Sequence, residues 1–76
     1  MVHAFVMIES GPGEATRIRD AVVEMTPMTE AHVVAGEFDV IAEADADEVY
    51  DVLHTVSTAV RSIDGVGRTK TYVSLD

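Results

Sequence analysis

Val33-Val34-Ala35-Gly36-Glu37-Phe38-Asp39-Val40-Ile41-Ala42 sets two β-branched runs on either side of a single Gly-Glu corner. Val and Ile suit a pleated, half-buried surface, and Gly accepts the positive φ that a tight turn demands. The segment reads as a β-hairpin turning at Gly36-Glu37, with strands over Met28–Ala35 and Phe38–Ala44. Asp39 is the odd member, a carboxylate inside an otherwise apolar strand beside the turn.

Upstream, Val2-His3-Ala4-Phe5-Val6-Met7-Ile8 is short and largely apolar, and it ends at Gly11-Pro12-Gly13. Length and flanking turn residues favour a strand with both faces covered. Val2, Ala4, Val6 and Ile8 share one face; Phe5 and Met7 share the other. From Glu14 the period lengthens: Ala15, Ile18, Val22 and Met25 recur at helical steps, with Glu14 near the positive helix end. Pro27 disfavours helical geometry at Thr26, which stops that helix.

Downstream, Asp45-Ala46-Asp47-Glu48 has the spacing of a capping box. Val49, Val52, Leu53, Val56, Val60 and Ile63 then mark one face of a second helix, with Arg61 near its end and Gly65 as terminator. Arg68 to Leu75 alternates Thr69, Thr71, Val73 and Leu75 against Lys70, Tyr72 and Ser74, a last strand. The order is βαββαβ in one domain, residues 1–76. This predicts an α+β, ferredoxin-like sandwich: a four-stranded antiparallel sheet with two helices on one face. The uncovered sheet face, carrying Phe5 and Met7, predicts self-association.

Bulk properties support assembly. A chain of 76 residues buries only roughly 60% of its unfolded surface, a marginal core for a monomer. With no cysteine there are neither disulfides nor thiolate metal sites. The 14 Asp and Glu against 5 Lys and Arg leave a net charge of -9. That balance argues against a nucleic-acid or acidic-membrane partner. Seven of the acids lie from Glu37 to Asp51 with no base among them. The 47% apolar content is arranged periodically, so the acids cover a folded surface, as in proteins of salt-loving organisms. Nothing resembles a signal peptide or a membrane span, and a cytoplasmic setting is expected.

Three segments carry a family resemblance. Ala4-Phe5-Val6-Met7-Ile8, Val33-Val34-Ala35-Gly36-Glu37-Phe38-Asp39 and Gly65-Val66-Gly67-Arg68-Thr69-Lys70-Thr71 stand in the order and spacing of the Lrp/AsnC (feast/famine) effector-binding domain, also called the RAM domain. The chain resembles that domain over essentially its whole length. The resemblance implies a domain that dimerises through its sheets, with dimers closing into rings. It also implies that small effectors, typically amino acids, bind between dimers, where the hairpin loop and the start of the last strand meet. Carried over by motif, the ligand-binding residues are Gly36, Glu37, Phe38, Asp39, Thr69 and Thr71. Full-length members of the family add an N-terminal helix-turn-helix, whereas this sequence starts at the first strand. It is therefore expected to be a stand-alone sensor in which effector binding shifts the assembly state or modifies a partner regulator, such as a full-length Lrp/AsnC protein, by co-assembly, without contacting nucleic acid or membrane.

The residue chemistry is compatible with that implication. Asp39 can accept hydrogen bonds from an ammonium while N–H groups near Gly36 receive a carboxylate; alternatively Asp39 bonds the hairpin's own backbone. Thr69 and Thr71 share a strand face, where hydroxyls can line a pocket or merely suit a β-strand. Arg68 can pair with an effector or with surface acids, the second being the simpler reading. Tyr72 suits an interface.

No catalytic triad, Cys-His pair or phosphate-binding loop occurs, so no enzyme activity or cofactor is expected. No metal is expected either. Met1-Val2-His3 could chelate copper or nickel only with amides needed for strand pairing, and His32 and His54 show no ligand spacing with each other or with acids. The acids from Asp45 to Asp51 read as a helix start and a solvated face. The rival readings are a small dimeric ferredoxin-like enzyme of monooxygenase or isomerase type, using His3 or His32 in an enclosed pocket, an ACT-like regulatory domain, and a ligand-free oligomerisation module.

Overall fold

The computed structural model describes residues 1–76, and its topology follows from the alternation within the first strand. β1, Val2–Ser10, buries Ala4, Val6 and Ile8 completely and leaves His3, Phe5 and Met7 half-buried on the opposite face. α1 spans Ala15–Val23, β2 Met28–Val33, β3 Val40–Ala46, α2 Val49–Thr55 and β4 Val66–Val73. The strands form one antiparallel sheet ordered β2-β3-β1-β4. This is the expected ferredoxin-like α+β sandwich, with both helices on the face that carries Ala4, Val6 and Ile8.

The core is narrow and rich in alanine. Ala4, Ala31, Ala42, Ala44 and Ala46 form its sheet side, and Ile18, Val22, Val52, Val56 and Val60 fill the helix side. Small side chains on β3 let the helices sit close to the sheet. β2 reaches this core by means of an irregularity. Met28 pairs with Ala44 but Glu30 pairs with Glu43, so the extra residue Thr29 is bulged out. The bulge lets Met28 and Ala31, three apart, both face inward.

Several expectations require correction. Residues 34–39 do not form a two-residue turn at Gly36-Glu37: β2 stops at Val33, β3 starts at Val40, and Gly36 has no positive φ. A six-residue loop joins the strands, closed by the Val34 N–H donating to the Asp39 carbonyl at 2.9 Å. The reason is a competing attachment. Asp39 donates its own N–H to the Ile8 carbonyl of β1 at 2.9 Å, and Phe38 is buried, so both leave the β2–β3 ladder.

The capping box is also absent. Asp45 and Ala46 continue β3, Glu48 is the residue before α2, and its side chain makes no capping bond. The strand alternation at Ala42, Ala44 and Ala46 outweighs a local helix signal, because it buries three methyl groups. Of the expected helical face, Val52, Val56 and Val60 are buried whereas Val49 and Leu53 are exposed. The last turns, Val56–Val60, widen to π-helical spacing, with the Arg61 N–H donating to the Val56 carbonyl. Ser57 and Thr58 hydroxyls both donate to the His54 carbonyl there, drawing it away from the regular ladder. β1 keeps only one face fully covered by its own chain.

Gly65 ends the second helical segment as expected, at φ +95°. A Cβ there would lie 3.0 Å from Arg17 Nη2, which donates to the Asp64 carbonyl at 2.6 Å. Gly65→Ala is expected to cost about 1–2 kcal/mol through left-handed strain. Gly36→Ala, at negative φ with open space around it, is expected to stay within about 0.5 kcal/mol of the parent. Urea unfolding of both variants at one protein concentration checks the contrast; equal midpoints would contradict it.

Candidate functional site

The 34–39 loop and the start of β4 meet at one end of the sheet. β4 carries a bulge here: Ile8 pairs with Thr69 but Ser10 with Val66, so Gly67 and Arg68 together oppose Glu9. Gly67 admits the Glu9 carboxylate at close range, since a Cβ would stand 2.5 Å from Glu9 Oε1. That oxygen accepts the Arg68 backbone N–H at 3.1 Å, and Arg68 Nη2 lies 3.4 Å from both Glu9 Oε2 and Glu37 Oε2. The guanidinium sits 5.1 Å above the centre of the Phe38 ring. A buried aromatic beneath an exposed cation flanked by two carboxylates is a cation–π and ion-pair corner. Its acids hold the Arg68 pKa above the usual guanidinium value, the Glu37 hydrogen bond being the largest cause.

Asp39 anchors the loop to this corner. Its Oδ2 accepts the Ser10 N–H at 2.9 Å, an amide on the β3 side of β1 just past the end of the β1–β3 ladder. With its N–H bond to Ile8, Asp39 ties the loop to β1, while its carbonyl still accepts the Val34 N–H within the hairpin.

Among the six residues singled out from sequence, Glu37, Phe38 and Asp39 converge with Arg68, while Gly36 stands exposed in the loop. Thr69 and Thr71 pair with Ile8 and Val6, on the helix-facing side of β4, and are half-buried. Arg68 and the threonines thus occupy opposite faces of one edge strand. Glu9 escaped the sequence reading. The signal for it was Gly67, one residue before the only arginine in the last strand.

A second polar group occupies the open sheet face. His3 pairs with Asp45 across β1–β3, and Phe5 pairs with Glu43. His3 Nδ1 lies 2.6 Å from Asp45 Oδ1 and Nε2 lies 3.0 Å from Glu43 Oε1. A protonated imidazole donates to both carboxylates. His32, contrary to expectation, does have an acid at contact distance: its Nε2 lies 2.9 Å from Glu30 Oε1 on the same strand face. The one concavity is an open groove of about 400 Å³ at the other end, between Met1, Pro27, Asp45, Asp51, His54 and Thr55.

These features define a βαββαβ domain with a polar corner at one sheet end and an uncovered sheet face, a design suited to binding and assembly. The sequence model of the family described as the Lrp/AsnC ligand binding domain matches residues 3–76. The chain belongs to this family. An uncharacterized HTH-type transcriptional regulator of Pyrococcus abyssi is 30% identical over 76 residues, covering 96% of this chain and 51% of the relative. One of Pyrococcus furiosus is 32% identical over 74 residues, covering 93% and 49%. The chain thus spans about half the length of the curated relatives it matches. A crystal structure of a Thermus thermophilus protein superposes with a TM-score of 0.93 at 26% identity, covering 100% of this chain and 95% of that one. AsnC of E. coli has the same fold, with a TM-score of 0.88 at 17% identity over 99% of this chain and 51% of that one. The chain is a ligand-binding domain of the kind found in transcription regulators.

Two outcomes test these contacts. Asp39→Ala leaves the Ser10 N–H without its acceptor and is expected to cost about 1–2 kcal/mol in urea unfolding; an unchanged midpoint would remove its anchoring role. The Asp45 hydrogen bond, and secondarily Glu43, raise the His3 pKa above 6.5. A raised folded pKa means the stabilisation is complete below the unfolded value and is lost as pH rises through the folded one. The parent is therefore expected to lose stability from pH 6.5 upward relative to its His3→Gln variant, with NMR placing the imidazole titration in the same window. Parallel stability curves would refute this.

Proposed function

We propose that this chain is a non-enzymatic sensor that binds a small amino-acid effector at an interface between its subunits and transmits occupancy through assembly. The observation that carries the reading is the convergence of the 34–39 loop and the start of β4 at the Arg68–Phe38–Glu37 corner. An amino-acid zwitterion needs one cation and one anion a few ångströms apart, next to exposed N–H groups. Arg68 offers the first by exchanging its long 3.4 Å contacts for an effector carboxylate. Glu37 and the free Asp39 Oδ1 receive the ammonium, and the exposed Ala35-Gly36-Glu37 backbone supplies donors. Thr69 and Thr71, on the other face of the edge strand, would serve a ligand only where a second subunit closes the site from that side.

Assembly is the second half of the proposal. The uncovered sheet face presents Phe5, Met7, Ile41 and Tyr72, the last 54% exposed. A second chain laid on this face gives β1 the cover that its own helices cannot supply, and larger rings follow from dimers. A net charge of -9 suits action on a regulator, such as a full-length Lrp/AsnC protein in the cytoplasm, rather than on DNA. A complex of a Neisseria meningitidis regulator with L-Met shares the fold, at 18% identity and a TM-score of 0.82, which makes amino acids the first effectors to try.

Sedimentation and calorimetry with a panel of amino acids test the reading. At least one is expected to bind and shift the oligomer distribution, because a ligand spanning an interface stabilises it by linkage. Arg68→Ala is expected to weaken that binding at least tenfold, about 1.4 kcal/mol, while unfolding stability moves by less than about 1 kcal/mol, as for an exposed ion pair. Silence across the panel with an unaltered assembly would overturn the proposal.

A further inference from the structure

Two carboxylates face each other on the open sheet face with no lysine or arginine paired to either. The Thr29 bulge brings Glu30 directly opposite Glu43 in the β2–β3 ladder. Like charges in that position repel, and the chain is already highly acidic. The ion pairs of Arg17, Arg19 and Arg68 lie elsewhere, with Glu14, Asp20, Glu9 and Glu37. His32, two residues beyond Glu30, projects from the same face and brings Nε2 to 2.9 Å from Glu30 Oε1. One donor atom from each of Glu30, His32 and Glu43 falls within 4.8 Å of the other two.

We propose that Glu30, His32 and Glu43 form a site for a borderline divalent cation of the zinc class. Ligand chemistry selects the class: one imidazole and two carboxylates, with no thiolate in the chain, suit Zn²⁺ and Co²⁺. Geometry allows it. Two bonds of about 2.1 Å span at most about 4.2 Å, so small rotations of exposed side chains close the observed separation. Three protein ligands leave a fourth, tetrahedral position for water or for a group from another molecule. The support around the ligands fits as well. Glu43 Oε1 is held by His3 Nε2 at 3.0 Å, and His3 is fixed in turn by Asp45 at 2.6 Å, so the carboxylate is oriented from behind. The cation removes the Glu30–Glu43 repulsion and pins the edge strand β2 to β3. The site lies apart from the Arg68 corner, on the sheet face proposed for assembly, and does not depend on effector binding.

Chelator-treated protein titrated with Zn²⁺ by calorimetry, and with Co²⁺ by visible absorption, tests the site. One cation per chain is expected, with the d–d bands of a low-coordinate Co²⁺ centre. His32→Ala and Glu43→Gln are each expected to weaken binding at least tenfold, and His54→Ala to leave it unchanged. Circular dichroism is expected to show all three variants folded, since His32 and His54 are exposed and Glu43 half-exposed. Absence of binding, or binding that survives His32→Ala, would overturn the proposal. So would binding lost in His3→Gln yet kept in His32→Ala, which would place the cation on the N-terminal amine and His3.

Discussion

β1 imposes the constraint on which the other elements depend. It is the strand that both β3 and β4 pair with, so its alternation dictates which side chains of its neighbours face inward. Ala4, Val6 and Ile8 set the plane of the helix-covered core, and Ala44, Ala42 and Val40 follow by register. The same register sends Phe5, Met7, Ile41 and Tyr72 to the other side. Since a strand cannot bury only one of its apolar faces without presenting the second, the core and the open apolar face are one sequence decision. An alanine-lined core in a chain of 76 residues leaves little stability in reserve, so covering the second face matters energetically.

The position of Asp39 shows how loop conformation is settled by distant partners. A Gly-Glu corner between β-branched runs has the local form of a tight hairpin, and that much is legible in the sequence. What the sequence conceals is that β3 stops pairing with β1 at Val40, opposite Ile8, which leaves the Ser10 amide on that side in need of an acceptor. Asp39 meets that need, and its backbone adds the bond to Ile8, so the turn opens into six residues. The sequence-based alternative, that Asp39 serves its own hairpin, named the right kind of role and the wrong strand. The Asp45–Glu48 spacing misled for a related reason. A capping box and a strand with acids on its outer face share the same letters, and only pairing with β1, where His3 meets Asp45, decides between them. Element order, the helix-facing stripe at Val52, Val56 and Val60, and the left-handed Gly65 were legible because each rests on local periodicity or backbone sterics.

The acidic charge is organised rather than uniform. At the β4 corner, Glu9 and Glu37 surround Arg68, whose charge is fixed across the accessible pH range. On the open sheet face, Glu43 and Asp45 surround His3, whose charge is not fixed. The two clusters therefore differ in kind: one is a constant ion-pair corner over an aromatic ring, the other carries a charge that loss of one proton removes. This difference was invisible in the chain, because His3 and Asp45 are 42 residues apart and meet only through the ladder.

Placing titratable groups on the face proposed for assembly has an energetic consequence. Apolar contact between two such faces is non-directional and tolerates more than one register. The His3–Asp45–Glu43 row adds charges that must be matched or neutralised when a second sheet approaches, which penalises wrong registers by desolvation. Phe5, packed edge-on against His3 with ring centres 5.0 Å apart, fixes the imidazole within an otherwise apolar row. In the proposed assembly the apolar residues supply the drive to associate and the polar row supplies its selectivity. If the sheets do pair, any agent that alters the polar row, such as a proton, would act on assembly without touching the core.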